Sequence, residues 1–160
     1  MARQGNASED QIGIIMNKPA TVTPFLWFDT DLTEMVAFYA GIFADFKVHN
    51  VNSFQASFEL GGQNFLAGNF GPYYKFNEAI SLFVSCGDQA EVDYYWNALL
   101  AAGGEPGRCG WLKDKHGISW QIVPQALGEA LSNPDRDAAD YAQQAMMGMS
   151  KIIIADLTQK

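Results

Sequence analysis

A short cluster of aromatic and aliphatic residues recurs at a fixed interval along the chain. Leu26-Trp27-Phe28, followed by Phe38-Tyr39, returns as Leu82-Phe83-Val84, followed by Tyr94-Tyr95. Each member is displaced by 56 positions, from 26 to 82 at the first, and the same displacement carries Gly61 onto Gly117. One supersecondary unit built twice leaves this signature. Two like units must bury their apolar faces together, and pockets form preferentially where such units meet.

Local pattern orders the elements within each unit. Val22 to Phe28 is β-branched and aromatic and reads as a strand. Asp29-Thr30-Asp31 interrupts it and supplies helix caps, supported by Glu34. Leu32, Met35, Val36, Tyr39, Ile42 and Phe43 then fall at helical spacing, which predicts a helix over 32–44. Strands over 46–51 and 54–60, a turn at Gly61-Gly62 and a strand over 64–67 complete a βαβββ unit.

The second unit repeats the order. A strand over 80–85 precedes a helix from the Asp88 cap to Ala102, ended by Gly103-Gly104. A poorly marked strand, one through Arg108–Leu112, a turn at Lys113–Gly117 and a strand over 118–123 follow, and Pro124 closes them. Helices over 125–131 and 135–147 come last. The expected fold is α+β, paired βαβββ modules with C-terminal helices, each sheet carrying one helix on its outer face. A doubly wound parallel sheet would need a helix between every pair of strands. Residues 1–20 read as a polar arm before a single domain over 21–160. That domain divides into a first module (21–69), a linker loop (70–77), a second module (78–124) and a helical extension (125–160).

Composition narrows the function classes. Apolar residues make up 48% of the 160, enough for a sizeable core. The formal net charge of −8 disfavours nucleic acid and anionic membrane as partners. No apolar run approaches the roughly 20 residues of a membrane helix, and the N-terminus does not read as a signal peptide. Cys86 and Cys109 lie in different modules without metal-type spacing, which suits reduced thiols in the cytoplasm.

With the modules laid out, several stretches match a known pattern. Thr23–Phe28, Leu60–Gln63, Lys75–Ser81 and the long run Gly110–Gln121 resemble the PhnB-like branch of the vicinal oxygen chelate superfamily. That superfamily includes glyoxalase I, the bleomycin- and fosfomycin-resistance proteins and extradiol dioxygenases. Members of the branch often carry the label 3-demethylubiquinone-9 3-methyltransferase. The resemblance covers roughly residues 21–155. It implies that a metal, where used, is held by one residue from the first and one from the last strand of each module, typically His and Glu. Counted from Phe38 and Gly117 and carried across the repeat, those positions are Pro24, Phe65, Ile80 and Gln121. Zinc, iron or nickel wants imidazole, carboxylate or thiolate. No metal and no cofactor are therefore expected, and Glu78 is the one acid within two residues of a ligand position. The methyltransferase label implies a sulfonium cofactor, usually held on a glycine-rich loop between a strand and a helix. Gly103–Gly107 follows a helix instead, and Gly61-Gly62 enters a strand.

Strand alternation is expected to place Leu26, Phe28, Phe65, Leu82, Val84 and Gln121 on the pocket face. Phe25, Trp27, Phe83, Trp120 and Ile122 would then pack under the helices. The candidate ligand-binding residues are Leu26, Phe28, Phe65, Phe76, Glu78, Leu82, Trp111 and Gln121, with Ser119 or Gln63 as further polar groups. Such a pocket suits a small, flat or apolar organic molecule, although the same side chains could simply fill the space as core. The aromatic loop 70–76 is either a lid or a linker packed between the modules. Glu78 is a candidate catalytic base if burial raises its pKa. His116, in a charged turn, and His49, on a strand, form no triad. The family resemblance further implies a homodimer in which modules of two chains complete each sheet pair. A metal-free binding protein, an enzyme of unknown reaction and a structural dimer with a filled pocket all fit the sequence.

Overall fold

The computed structural model describes residues 21–158. The arm expected over 1–20 lies outside them. Strand β1 (Phe25–Phe28) leads into helix α1 (Leu32–Ile42), then β2 (Lys47–Val51), β3 (Gln55–Leu60) and β4 (Gln63–Asn69). The second unit repeats this as β5 (Ser81–Cys86), α2 (Gln89–Leu100), β6 (Glu105–Pro106), β7 (Trp111–Lys113) and β8 (Ser119–Pro124). Helices α3 (Gln125–Leu131) and α4 (Arg136–Gly148) follow. The caps are those the sequence offers. The Asp31 carboxylate accepts from Thr33 N at 2.8 Å and that of Asp88 from Glu91 N at 2.9 Å, each satisfying a free first-turn donor. Gly103, at φ +105, ends α2.

The strands form two four-stranded sheets with the same order, β1-β4-β3-β2 and β5-β8-β7-β6. In each, the first and last strands of the module pair in parallel and the rest are antiparallel. The architecture is the paired-module α+β fold expected from the repeat. The helices, however, lie at the junction of the modules and not on the outside. One continuous core joins Leu32, Met35, Val36, Tyr39, Ile42 and Phe43 of the first unit to Val92, Trp96, Leu99, Leu112, Trp120 and Ile122 of the second. Phe43 stacks on both Tyr95 and Trp120 at 5.2 Å between ring centroids, and Tyr94 donates its hydroxyl to Ile42 O at 2.8 Å. The reason is energetic: each buried side chain of this size is worth about 1.5–3 kcal/mol, and the inner faces of both helices reach the same apolar seam.

The C-terminal segment wraps its own chain. Leu127, Ile152 and Leu157 bury against Val123. Beyond the two-residue β6, Cys109 N donates to Met149 O at 2.9 Å and Gly110 N to Ser150 O at 2.8 Å. The tail thereby satisfies backbone donors that a longer outer strand would have paired.

Candidate functional site

The two sheets each have a face turned away from the helices. Register identifies what it carries. In the second sheet Phe83 pairs with Gln121 and Gln121 with Trp111. Paired residues share a face, so these three form a row across β5, β8 and β7. Phe83 is 59% exposed, and Gln121 donates from Nε2 to the Ser81 hydroxyl at 2.8 Å. In the first sheet Phe25, Leu66 and Ser57 form a row on the open face, with Phe25 53% and Leu66 42% exposed. His49 and Asn64, both exposed, are bonded to each other at 3.1 Å.

This corrects the expected sorting of side chains in the first module and in β5. Leu26, Phe28, Phe65, Leu82 and Val84 point toward the helices. Phe28 is 1% and Phe65 6% exposed, and Leu26, Leu82 and Val84 pack on the same core. Phe25 and Phe83 stand on the open faces, whereas Trp120 and Ile122 do lie under the helices at 2% and 0%. The cause is a change of spacing within the repeat. Ser57 pairs with Leu66, nine positions on, whereas Lys113 pairs with Ser119, six positions on. The second hairpin is thus three residues shorter. The displacement is 56 from Ser57 to Lys113 but 53 from Leu66 to Ser119, and an odd slip moves a strand's residues to the opposite face. Phe65 and Gln121 are therefore not equivalent positions.

The remaining expected residues scatter. Phe76 is half-buried, edge-on to Phe28 at 5.2 Å. Glu78 is bonded to Lys113 Nζ at 2.6 Å with its side chain 62% exposed. That hydrogen bond lowers the Glu78 pKa, the opposite of the burial effect a raised-pKa base requires. Loop 70–76 is fixed and not free: Trp27 Nε1 donates to Gly71 O at 2.9 Å, and Phe70 packs on Trp27 at 4.9 Å. A Cβ on Gly68 would come within 2.2 Å of the Phe70 ring, so only glycine lets that ring lie against β4.

The shortened hairpin holds the main polar feature of the core. Asp114, 3% exposed, accepts from Tyr39 Oη at 2.6 Å and Trp120 Nε1 at 2.8 Å. Its other oxygen accepts from His116 N at 2.9 Å and Ile118 N at 3.1 Å. Burial, then the neighbouring Asp114 carboxylate, drives the Tyr39 phenol pKa well above its usual value. The His116 ring sits among Phe28, Phe38 and Tyr39, its Nε2 buried without a partner. The charged neighbours of His116 in sequence suggest a solvated turn, but the ring packs inward. The signal that could have corrected this was Asp114, two residues earlier in a turn, able to cap the loop inward.

A cleft of about 580 Å³ also runs between the modules, and it brings together Phe65, Leu82, Val84 and Gln63 of the expected pocket, beside Phe43, Asp45 and Ser85. Of its polar groups, Asp45 accepts from Gly61 N at 3.0 Å and Gln63 donates to Asn64 O at 2.8 Å.

A superfamily metal does not fit these residues. The open-face positions nearest the expected ligand set are Phe25, Leu66, Ser81 and Gln121, whose only polar groups are a hydroxyl and an amide bonded to each other. Among the described residues no three His, Cys, Asp or Glu side chains gather. Gly103 and Gly104 follow a helix and Gly61-Gly62 is a hairpin turn, so neither makes a strand-to-helix phosphate-type loop.

Two mixed sheets of repeated βαβββ topology define the class: a vicinal oxygen chelate fold. The particular family follows from the sequence. Residues 20–123 match the model of the 3-demethylubiquinone-9 3-methyltransferase family, and the chain belongs to that family, the PhnB-like branch. A PhnB protein from Bacillus cereus that carries the same methyltransferase name superposes with TM-score 0.58 at 26% identity, covering 66% of this chain and 99% of that one. The fosfomycin resistance protein FosX from Listeria monocytogenes, solved with Mn(II) and sulfate, gives TM-score 0.53 at 16% identity over 71% and 97%. A glyoxalase-related enzyme from Fulvimarina pelagi gives 0.50 at 15% over 68% and 91%. These two share the fold. No curated protein matches the sequence. Among the described residues no helix is long and apolar enough to cross a membrane.

Proposed function

We propose that the chain is a metal-independent binding protein for a small, flat organic molecule, and that it works as a homodimer in the cytoplasm. The observation that carries this reading is the exposure of Phe25, Leu66 and Phe83 on the open sheet faces. Contiguous apolar surface of this kind marks an interaction site. The open face of the first sheet in one protomer meets that of the second sheet in its partner. The ligand lies between them, with apolar walls from Phe25, Leu66, Phe83 and Trp111 and the Gln121 amide as the polar anchor. Burial pushes the Cys86 thiol up to about 11, so it stays protonated and inert.

Size-exclusion chromatography with light scattering tests the dimer. The wild type should run at twice the mass of 17.6 kDa. Phe83→Ser, at an exposed position, should run as a folded monomer. A wild-type monomer rejects the dimer. Thermal-shift screening of a metabolite panel tests the ligand: a ligand at 100 times its Kd adds about 2.7 kcal/mol of stability. A flat profile across flat organic compounds rejects the binding reading.

A further inference from the structure

A second hollow, sharing only Phe25 with the walls of the dimer cavity, lies beside the docked aromatic loop. It has a volume of about 290 Å³, and its walls come from Phe25, Trp27, Tyr74, Ile80, Leu82 and Ile118, so both modules contribute. Ser119 borders it and is 1% exposed, yet its hydroxyl has no hydrogen-bond partner. A buried hydroxyl without a partner costs about 1–3 kcal/mol, and native proteins rarely leave one so. No neighbour on its own sheet bonds it: its cross-strand partners Ser81 and Lys113 are bonded to Gln121 and Glu78 instead.

The other lining groups define what would satisfy it. The walls are apolar and largely aromatic, which suits a ring. Lys75 lies at the rim of the hollow and joins no ion pair among the described residues. In a chain of net charge −8, a free ammonium beside an aromatic pocket is the local feature that attracts an anion. The volume is close to the lower limit for small-molecule sites and admits one ring. The walls are also held in place without ligand. Trp27 is anchored to Gly71 O at 2.9 Å and lies edge-on to Tyr74 at 4.9 Å, so binding orders little chain.

We infer that this hollow is a binding site for a single-ring aromatic carboxylate, with Ser119 bonding a polar atom of the ligand at the inner end and Lys75 pairing with its charge. Saturation-transfer NMR with 4-hydroxybenzoate on the full chain tests it, because its phenol can reach Ser119 while its carboxylate stays at Lys75. 4-Hydroxybenzoate should bind, and 4-hydroxybenzyl alcohol, which lacks the charge, should bind more weakly. Ser119→Ala should weaken 4-hydroxybenzoate about fivefold, the equivalent of ~1 kcal/mol for one hydrogen bond. Lys75→Ala, in an exposed loop, should weaken 4-hydroxybenzoate but leave 4-hydroxybenzyl alcohol unchanged. Phe83→Ser tells this hollow from the dimer cavity, because Phe83 lines that cavity and not this hollow. No 4-hydroxybenzoate signal at millimolar concentration would overturn the proposal. So would equal affinity of wild type, Ser119→Ala and Lys75→Ala, or loss of binding in Phe83→Ser alone.

Discussion

The hairpin β3–β4 and the hairpin β7–β8 occupy equivalent places in the two modules and end in opposite surroundings. The first turns tightly at Gly61-Gly62, with φ of +58 and +78, and a Cβ at either glycine would meet nothing within 4 Å. Its tip points into solvent. The second is three residues shorter, and its turn folds inward onto α1, where Asp114 binds Tyr39 and Trp120. A three-residue difference between the two copies thus separates a surface turn from the clamp between copies. It also turned Gln121 outward, onto the face where Phe65 has no counterpart.

The largest effect should come from removing the clamp. Asp114→Ala leaves two buried side-chain donors and two backbone N–H groups without an acceptor. It should lower unfolding free energy by about 3–4 kcal/mol, because each unsatisfied donor costs roughly 1–3 kcal/mol and part of the loss relaxes. Urea unfolding checks this, and a loss below about 1 kcal/mol would show that the inward turn is not the clamp described.

Glycine substitutions compare the open turn with the tail-covered edge. Gly110 sits at φ +83, and a Cβ there would lie 2.9 Å from Ile122 O and 3.2 Å from an Ile152 side-chain atom. Gly110→Ala should therefore cost about 2–3 kcal/mol, combining left-handed backbone strain with overpacking. Gly61→Ala meets only the strain and should cost about 1 kcal/mol. Equal losses would remove the tail from the account of stability.

His116 gives the second hairpin a pH dependence of its own. Burial lowers its pKa below 6.5, opposed by Asp114 and Glu34 and aided by Lys115. The folded chain then binds fewer protons than the unfolded chain, so stability is complete above about pH 6.5 and declines as pH falls through the depressed folded value. Denaturation midpoints measured from pH 7.5 to 5 should fall for the wild type. His116→Phe, which keeps an aromatic ring among Phe28, Phe38 and Tyr39, should flatten the decline. An unchanged profile would assign the acid sensitivity elsewhere.

The smallest effect belongs to the exposed pair on the second hairpin. Glu78→Gln removes the negative charge from the pair with Lys113, but exposed pairs contribute at most about 1 kcal/mol. A thermal midpoint within a degree or two of wild type is expected. A large drop would mean that this contact joins the clamp.

Much of this was legible in the chain. The period-2 and helical patterns placed the α-helices and the strands, giving no range only for the two-residue β6, and Asp31, Asp88 and Gly103 marked helix ends through local backbone chemistry. The site was less legible. Face assignment depends on strict alternation, so one change of hairpin length, invisible without pairing partners, reversed Leu26, Phe65 and Leu82 relative to Gln121. Trp111 and Gln121 did come together in one row.

The sequence by itself determined the duplication, the order of elements, the family and the absence of metal-type donors at the counted positions. Those depend on residue identity and short-range spacing. Tertiary structure alone decided that the helices meet at the junction and that the sheet faces stay open. It also decided that Asp114 is buried and that Ser119 is left without a partner. Each of these depends on which distant residues share a surface, and strand register across the sheets sets that.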